Sequence, residues 1–371
     1  MTQPQSTRLR CLDVLRGFDM FWIMGGELWV AALAGWTGWP ALEVARRHLE
    51  HAAWDGFRFY DLVFPLFLFI AGVAIPFSFE HRRARGDARR RLVQHVAKRV
   101  LGLVGLGVLY NALWLVDFEQ RAWPAFDDPR YASVLARIGL GYGGAALIVL
   151  FFRLPAQIAW AAGLLLAYWM ALVWIPVPGY GAGNLEPGAT LGDYLDRRFL
   201  PGRLYHVVRD PEGLLSTFPA VSTALLGVFS GRWIRQDHRT SRDRLLGLLG
   251  AGVLALVVGG LWDGVLPINK NLWSSSFVLW CAGWSVLLLA GAYWATDLCG
   301  ERVVSGFFRV IGKNSILVYM LTPLIPAWFV AHSLLGDEPG DGARVAFLLV
   351  FVLGKWGLLW ALDRRGWYLK V

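Results

Sequence analysis

The sequence predicts an all-α fold: a polytopic membrane helix bundle of about ten transmembrane helices with both termini cytoplasmic. Three observations carry that reading. Hydrophobic residues make up 56% of the 371 positions and charged residues only 17%, against roughly 25% charge in a soluble domain. The chain holds 20 Trp and 22 Phe, rings that favour membrane interfaces. Ten mostly apolar stretches have about the 20 residues a helix needs to cross the hydrocarbon core. The same composition excludes disorder. A net charge of +9 does not point to nucleic acid, because the basic residues gather between apolar runs, as membrane topology demands. Cys11, Cys281 and Cys299 are far apart and form no CxxC pair, so neither a disulfide framework nor a metal site is expected.

The stretches are 12–34, 60–79, 95–116, 132–152, 156–176, 214–234, 245–264, 273–296, 307–335 and 343–362. The first is not read as a cleaved leader, because Asp13, Arg16, Asp19 and Glu27 interrupt it. Arg82, Arg83, Arg85, Arg89, Arg90, Arg91, Lys98 and Arg99 follow the second stretch. Arg232, Arg235, Arg239, Arg242 and Arg244 follow the sixth, Arg8 and Arg10 precede the first, and Arg364, Arg365 and Lys370 follow the last. An even span count places all four clusters on one face, the cytoplasmic one by the Lys/Arg bias. The acidic turns, with Asp117, Glu119, Asp127, Asp128, Asp337, Glu338 and Asp341, fall opposite. So do the two longest connections, 35–59 and 176–213, which lack obvious helical periodicity. No second domain, internal repeat or low-complexity tail is evident, and the chain reads as a single integral-membrane domain over 1–371.

Ionisable groups inside a span cost ~3 kcal/mol each on insertion scales, so they mark a site or a buried pair. Asp13 and Arg16 are three apart, which fits either an interfacial ion pair or an anchor for a phosphorylated cofactor. Glu27 lies deeper, beside Gly25 and Gly26. A second cluster holds His51, Trp54, Asp55, Arg58 and Asp61. On a helix the i,i+4 spacing of His51 and Asp55 puts imidazole and carboxylate on one side. An imidazole oriented in this way suits a general base; the plain alternative is a surface histidine, and His48 competes. Further polar groups are Asp210 and Glu212, then Asn269, Lys270 and Asn271, then Lys313 and Asn314, and finally Lys355. Lys355 also fits snorkelling to the cytoplasmic face, and the two asparagines fit loop capping. There is no Walker A loop, GxGxxG, HExxH or GxSxG. The paired repeats expected of a transporter are not visible either.

Taken together, several segments resemble one family. LDVLRG, from Leu12 to Gly17, looks like the opening motif of integral-membrane acyltransferases. HAAWDGFRFYDLVFPLFLFIAG, from His51 to Gly72, resembles the catalytic segment of the heparan-α-glucosaminide N-acetyltransferase family. RIGLGY, DPEGLLSTFPAVSTALLGVFSG, LPINKNLWSSSFV and GKNSILVY are similar to its later segments, in the same order, ending at Tyr319. The resemblance implies transfer of acetyl from cytoplasmic acetyl-CoA to the amino group of an amino sugar or glycan on the far side of a bacterial inner membrane. It also implies that His51 is the active-site histidine, aided by Asp55 or Asp61. One departure is that the family's asparagine before the glycine pair of the first span is replaced here by Ile23 and Met24, which shifts attention to Glu27.

The cofactor site is therefore expected at Arg16, Lys313, Asn314 and Lys355. The acceptor site is expected at Trp54, Arg58, Asp210, Glu212, Asn269, Lys270 and Asn271. Expected partners are the acceptor and membrane lipid, with a homodimer allowed for, and without metal or nucleic acid. The competing class is a transporter or flippase of a polar solute. It accounts for intramembrane charge but less well for a His–Asp cluster on one side and basic residues on the other.

Overall fold

The computed structural model describes residues 9–116, 128–236, 238–300, 302–336 and 340–369. Arg8, Asp117, Glu119, Asp127, Asp337, Glu338 and Lys370 lie outside the described residues. Within these limits the regular structure is helical, with isolated bridges at Val177–Gly181 and His206–Arg209. The helices are α1 (Arg10–Phe21), α2 (Glu27–Thr37), α3 (Pro40–His48), α4 (Val63–Ala84) and α5 (Arg89–Leu113). Next come α6 (Val134–Phe151), α7 (Leu154–Trp174), α8 (Leu191–Phe199), α9 (Thr217–Ile234) and α10 (Ser241–Asp263). The chain ends with α11 (Ser275–Tyr293), α12 (Val303–Lys313), α13 (Ser315–Leu324), α14 (Ala327–Leu335) and α15 (Asp341–Arg364).

Seven helices among the described residues are long and apolar enough to cross a membrane, or eight if the pair Ser315–Leu324 and Phe329–Leu335, bent by 57°, counts as one span. These features make the chain an integral membrane protein. The other expected spans differ for physical reasons. The stretch 12–34 is α1 and α2 joined by a π-helical turn, Trp22–Gly26, in which Gly25 takes φ 128°. The stretch 307–335 is three short helices, interrupted at Asn314 and again before Ala327. The stretch 214–234 is the 18-residue α9, made less apolar by Thr217, Ser222, Thr223, Ser230 and Arg232. The two long connections are not irregular throughout. One carries α3, which has Pro40 in its first turn. The other carries α8, opened by a capping box between Thr190 and Asp193.

Helices in a bilayer gain little from burying apolar surface against each other, so close packing of small residues holds them together. A Cβ added to Gly72 of α4 would fall 2.0 Å from the Ala224 carbonyl oxygen of α9. The same pattern joins α1 to α12: a Cβ on Gly17 would meet Phe308 O at 1.7 Å, and one on Gly312 would meet Asp13 O at 1.8 Å. Thus the glycines of LDVLRG and GKNS bring two backbones together, and they do so beside Arg16 and Lys313.

Candidate active site

The segment after α3 leaves helical geometry, and residues 51–58 are irregular. The Asp-Gly pair at 55–56 causes this, with Gly56 at φ 97°. The chain then turns through a 3-10 element, Phe59–Leu62, into α4. Asp61 in that turn is fully buried. Its Oδ2 accepts the backbone N–H of Ala52 at 3.2 Å and of Arg58 at 3.0 Å, which folds the loop around it. Its Oδ1 lies 2.8 Å from His51 Nδ1. An ionised Asp61 can only accept, so Nδ1 carries a hydrogen, and in the neutral ring Nε2 then holds the lone pair. The His51 ring also rests on Tyr60, with centroids 4.8 Å apart.

A third group reaches this pair from 219 residues away in sequence. Lys270 Nζ lies 3.0 Å from His51 Nδ1, 3.1 Å from Nε2 and 3.6 Å from Asp61 Oδ1. Its loop is rigid by construction. Buried Asn269 accepts the Leu272 N–H at 3.0 Å, and the Asn269 N–H donates to Ser274 Oγ at 3.1 Å. Trp273 takes the left-handed φ of 53°, and its indole donates to Thr223 Oγ1 at 3.2 Å. Burial pushes the Lys270 ammonium below the usual lysine range, and Asp61 opposes that shift.

His51 and Lys270 line one end of a cavity of about 950 Å³. Arg130, Arg203, His206, Arg209 and Glu212 share that end, while Arg16, Lys313, Ser315 and Tyr368 line the other. Between them run Tyr60, Phe64, Phe67 and Ala74 of the fourth-helix segment and Arg99, Leu103 and Tyr110 of α5. At 1.5 Å per residue, Tyr60 to Ala74 spans about 20 Å, so the cavity follows the helix axes through most of a bilayer core. Arg99 caps the ring of Tyr142 at 4.6 Å, and its buried Nε has no hydrogen-bond partner among the described residues.

The structure sorts the expected site residues. His51, Lys270, Asn271, Glu212, Arg16 and Lys313 line the cavity. Asp61 stands directly behind His51. Asp55 is not the orienting carboxylate: with no helix there, it accepts, among the described residues, only the N–H of its neighbour Gly56, at 2.9 Å. Trp54 lies behind the wall, donating to Leu185 O at 3.2 Å and covered by the Arg209 guanidinium at 4.8 Å. Arg209 in turn donates to Asn271 Oδ1 at 2.9 Å. Arg58 turns outward to Glu50 at 3.1 Å. Asn269 shapes the lysine loop and does not line this cavity. Asp210 is consumed by Arg130, which grips it at 2.8 and 2.6 Å and reaches Glu212 at 2.5 Å.

At the other end, Arg16 pairs with Asp13 at 3.0 Å and Lys313 with Asp363 at 2.8 Å. Asn314 is buried and ties down the C-terminal segment through Trp367 O at 3.0 Å and the Leu369 N–H at 3.1 Å, without itself lining the cavity. Glu27 and Lys355 also lie off the cavity. Lys355 donates to Met24 O at 3.3 Å, a carbonyl in the π-helical turn, and rests on Phe351 at 4.2 Å. Arg99 and Arg130 escaped the sequence reading as site residues. Arg99 left a signal: it lies ten residues into α5, about 15 Å along the helix.

The fold and the cavity define an integral membrane protein with a His–Asp–Lys cluster at one end of a long cavity and basic groups at the other. The chain is similar to heparan-alpha-glucosaminide N-acetyltransferase over most of its length. The Mus musculus protein is 28% identical over 425 residues, covering 96% of this chain and 61% of its own length. The Homo sapiens protein is 29% identical over 371 residues, covering 84% of this chain and 52% of its own length. The chain therefore spans between half and two thirds of these relatives. A family model described as a domain of unknown function, DUF5009, matches residues 8–151, which include His51 and Asp61.

Proposed function

We propose that the chain is a transmembrane N-acetyltransferase that moves acetyl from cytoplasmic acetyl-CoA to the amino group of an amino sugar or glycan across the bacterial inner membrane. The observation that carries this reading is the continuous cavity with an imidazole–carboxylate–ammonium cluster at one end and cationic groups at the other. The residues fit the donor: Arg16, Arg99 and Lys313 offer positive charge to its phosphates, and the orphaned Arg99 Nε offers an unmet hydrogen bond. The apolar middle, with Phe64, Phe67 and Leu103, suits a pantetheine arm that carries the thioester toward His51.

At the His51 end the acceptor amine attacks the thioester carbonyl. Its nitrogen gains a bond to the acyl carbon and gives a proton to His51 Nε2. Asp61 holds Nδ1–H and stabilises the imidazolium that forms. The Lys270 ammonium stands where negative charge develops on the carbonyl oxygen. Collapse breaks the C–S bond, and the proton on Nε2 leaves with the thiolate. The surrounding cations Lys270 and Arg209 also disfavour a protonated amine, which keeps the nucleophile reactive.

Purified protein given radiolabelled acetyl-CoA and glucosamine tests the reading. Label appearing in the sugar amide, with one CoA thiol released per amide, is the expected result. Solute uptake into vesicles without any acyl transfer would instead favour the transporter class.

A further inference from the structure

A second cavity, of about 740 Å³, lies on the opposite side of α9 from α4, walled by α7, α9, α10 and α11. Its wall is apolar along its length, with Ile158 and Leu166 of α7, Phe229 of α9 and Leu279 of α11. Non-aromatic polar side chains on this wall are confined to one end, where Arg232 and Gln236 stand. Arg232 is half-buried and, among the described residues, no carboxylate or other acceptor meets its guanidinium. The charges nearest to it, Arg235 and Arg83, are themselves cations, and Arg235 is already paired with Glu80. A position in the last turn of α9 suits the helix dipole, but that does not account for a cation crowded by two others. A basic residue at the end of an apolar intramembrane groove calls for an anion with a hydrocarbon tail.

We propose that this groove is a binding site for one anionic phospholipid, with an acyl chain along α7 and α9 and the headgroup phosphate on Arg232. The dimensions agree. Leu154 to Leu166 on α7 covers about 18 Å at 1.5 Å per residue, close to the ~15 Å depth of one leaflet's hydrocarbon. Arg232 lies at the end of α9 that enters the arginine-rich connection, the face where anionic lipid is drawn to basic residues. The proposal is independent of acetyl transfer, since neither Arg232 nor the groove touches the His51 cavity.

The test uses the whole chain in neutral detergent, titrated with phosphatidylglycerol or phosphatidylcholine and read by native mass spectrometry. The site predicts one phosphatidylglycerol retained per chain, at least about fivefold more tightly than phosphatidylcholine. Arg232→Gln should erase the preference, while Arg242→Gln, at an exposed position, should keep it. Leu166→Trp should fill the groove and lower retention of both lipids, which serves if Arg232→Gln does not fold. Equal retention of the two lipids, or an unchanged preference in Arg232→Gln, overturns the proposal. So does a protein dimer that occupies the groove and excludes lipid.

Discussion

His51 and Asp61 are joined by a 2.8 Å hydrogen bond through Nδ1, and the carboxylate that makes it is held by two backbone N–H groups of the same loop. The carboxylate therefore fixes both the loop and the imidazole. Asp61→Asn should keep the fold, because an amide oxygen can still accept from Ala52 and Arg58. It should lower kcat for acetyl transfer by about 10²–10⁴-fold, the usual weight of general-base assistance. Asp55→Asn should change kcat less than about twofold, since Asp55 touches only Gly56. Steady-state kinetics on both variants decides between the two carboxylates.

Lys270 is assigned to the developing oxyanion, so its removal should act on kcat and not on donor affinity. Lys270→Met should reduce kcat by about 10²–10³-fold, with the acetyl-CoA Kd within about twofold of wild type. A rise in Kd with unchanged kcat would move Lys270 from the chemistry to substrate binding.

The part of the cavity from Arg99 to the Arg16 and Lys313 end should carry the donor's phosphates. Arg99→Gln removes a charged hydrogen-bond donor, which is worth about 1.5 kcal/mol or more, so acetyl-CoA Kd should rise about tenfold. Lys355→Met should leave Kd unchanged and lower Tm, because Lys355 serves the Met24 carbonyl. Isothermal titration with the non-transferable product CoA reads both.

Asp196 of α8 offers a pH test away from the chemistry. Burial raises its carboxyl to about 7, although it accepts the Leu214 N–H at 2.7 Å. The native state then holds a proton that the unfolded chain releases near pH 4. Stability should fall as pH rises from about 4 to 7, and stay low above that. Asp196→Asn removes this penalty, on the order of 4 kcal/mol for about three pKa units at 1.36 kcal/mol each. Its Tm should exceed wild type at pH 8, and the gap should close by pH 4.5. A gap independent of pH would contradict the assignment.

Several residues that line the candidate cavity were legible in the sequence. Apolar stretches of sufficient length located the seven long membrane helices among the described residues, because length and composition alone identify them. The segment His51–Gly72 singled out the histidine. Its partner was harder to see: a helical reading favours Asp55, and only the Asp-Gly turn at 55–56 hints that the chain leaves the helix and brings Asp61 around instead. Lys270 was visible as a polar residue, but its meeting with His51 depends on a loop braced by Asn269 and Trp273. Arg16 and Lys313 drew attention as intramembrane charges, and both do line the cavity. Asn314, Glu27 and Lys355 drew it for the same reason, yet none of them lines that cavity: Asn314 ties down the C-terminal segment and Lys355 serves the Met24 carbonyl. Charge inside a span marks a constraint, and the surrounding backbone decides which kind.

The glycines at 17 and 312 give the same lesson from packing. Gly17→Ala would place a Cβ 1.7 Å from Phe308 O, forcing α1 and α12 apart at a cost of about 1–3 kcal/mol. A lowered Tm together with weaker CoA binding is expected, because Arg16 and Lys313 flank that crossing.

The most direct test of the central claim is acetyl transfer by His51→Ala, measured beside acetyl-CoA binding. The account predicts loss of label transfer to an amino sugar by at least about 10²-fold, with donor affinity retained. His48→Ala, on the preceding helix, should stay near wild type. Near-normal turnover in folded His51→Ala would contradict the account.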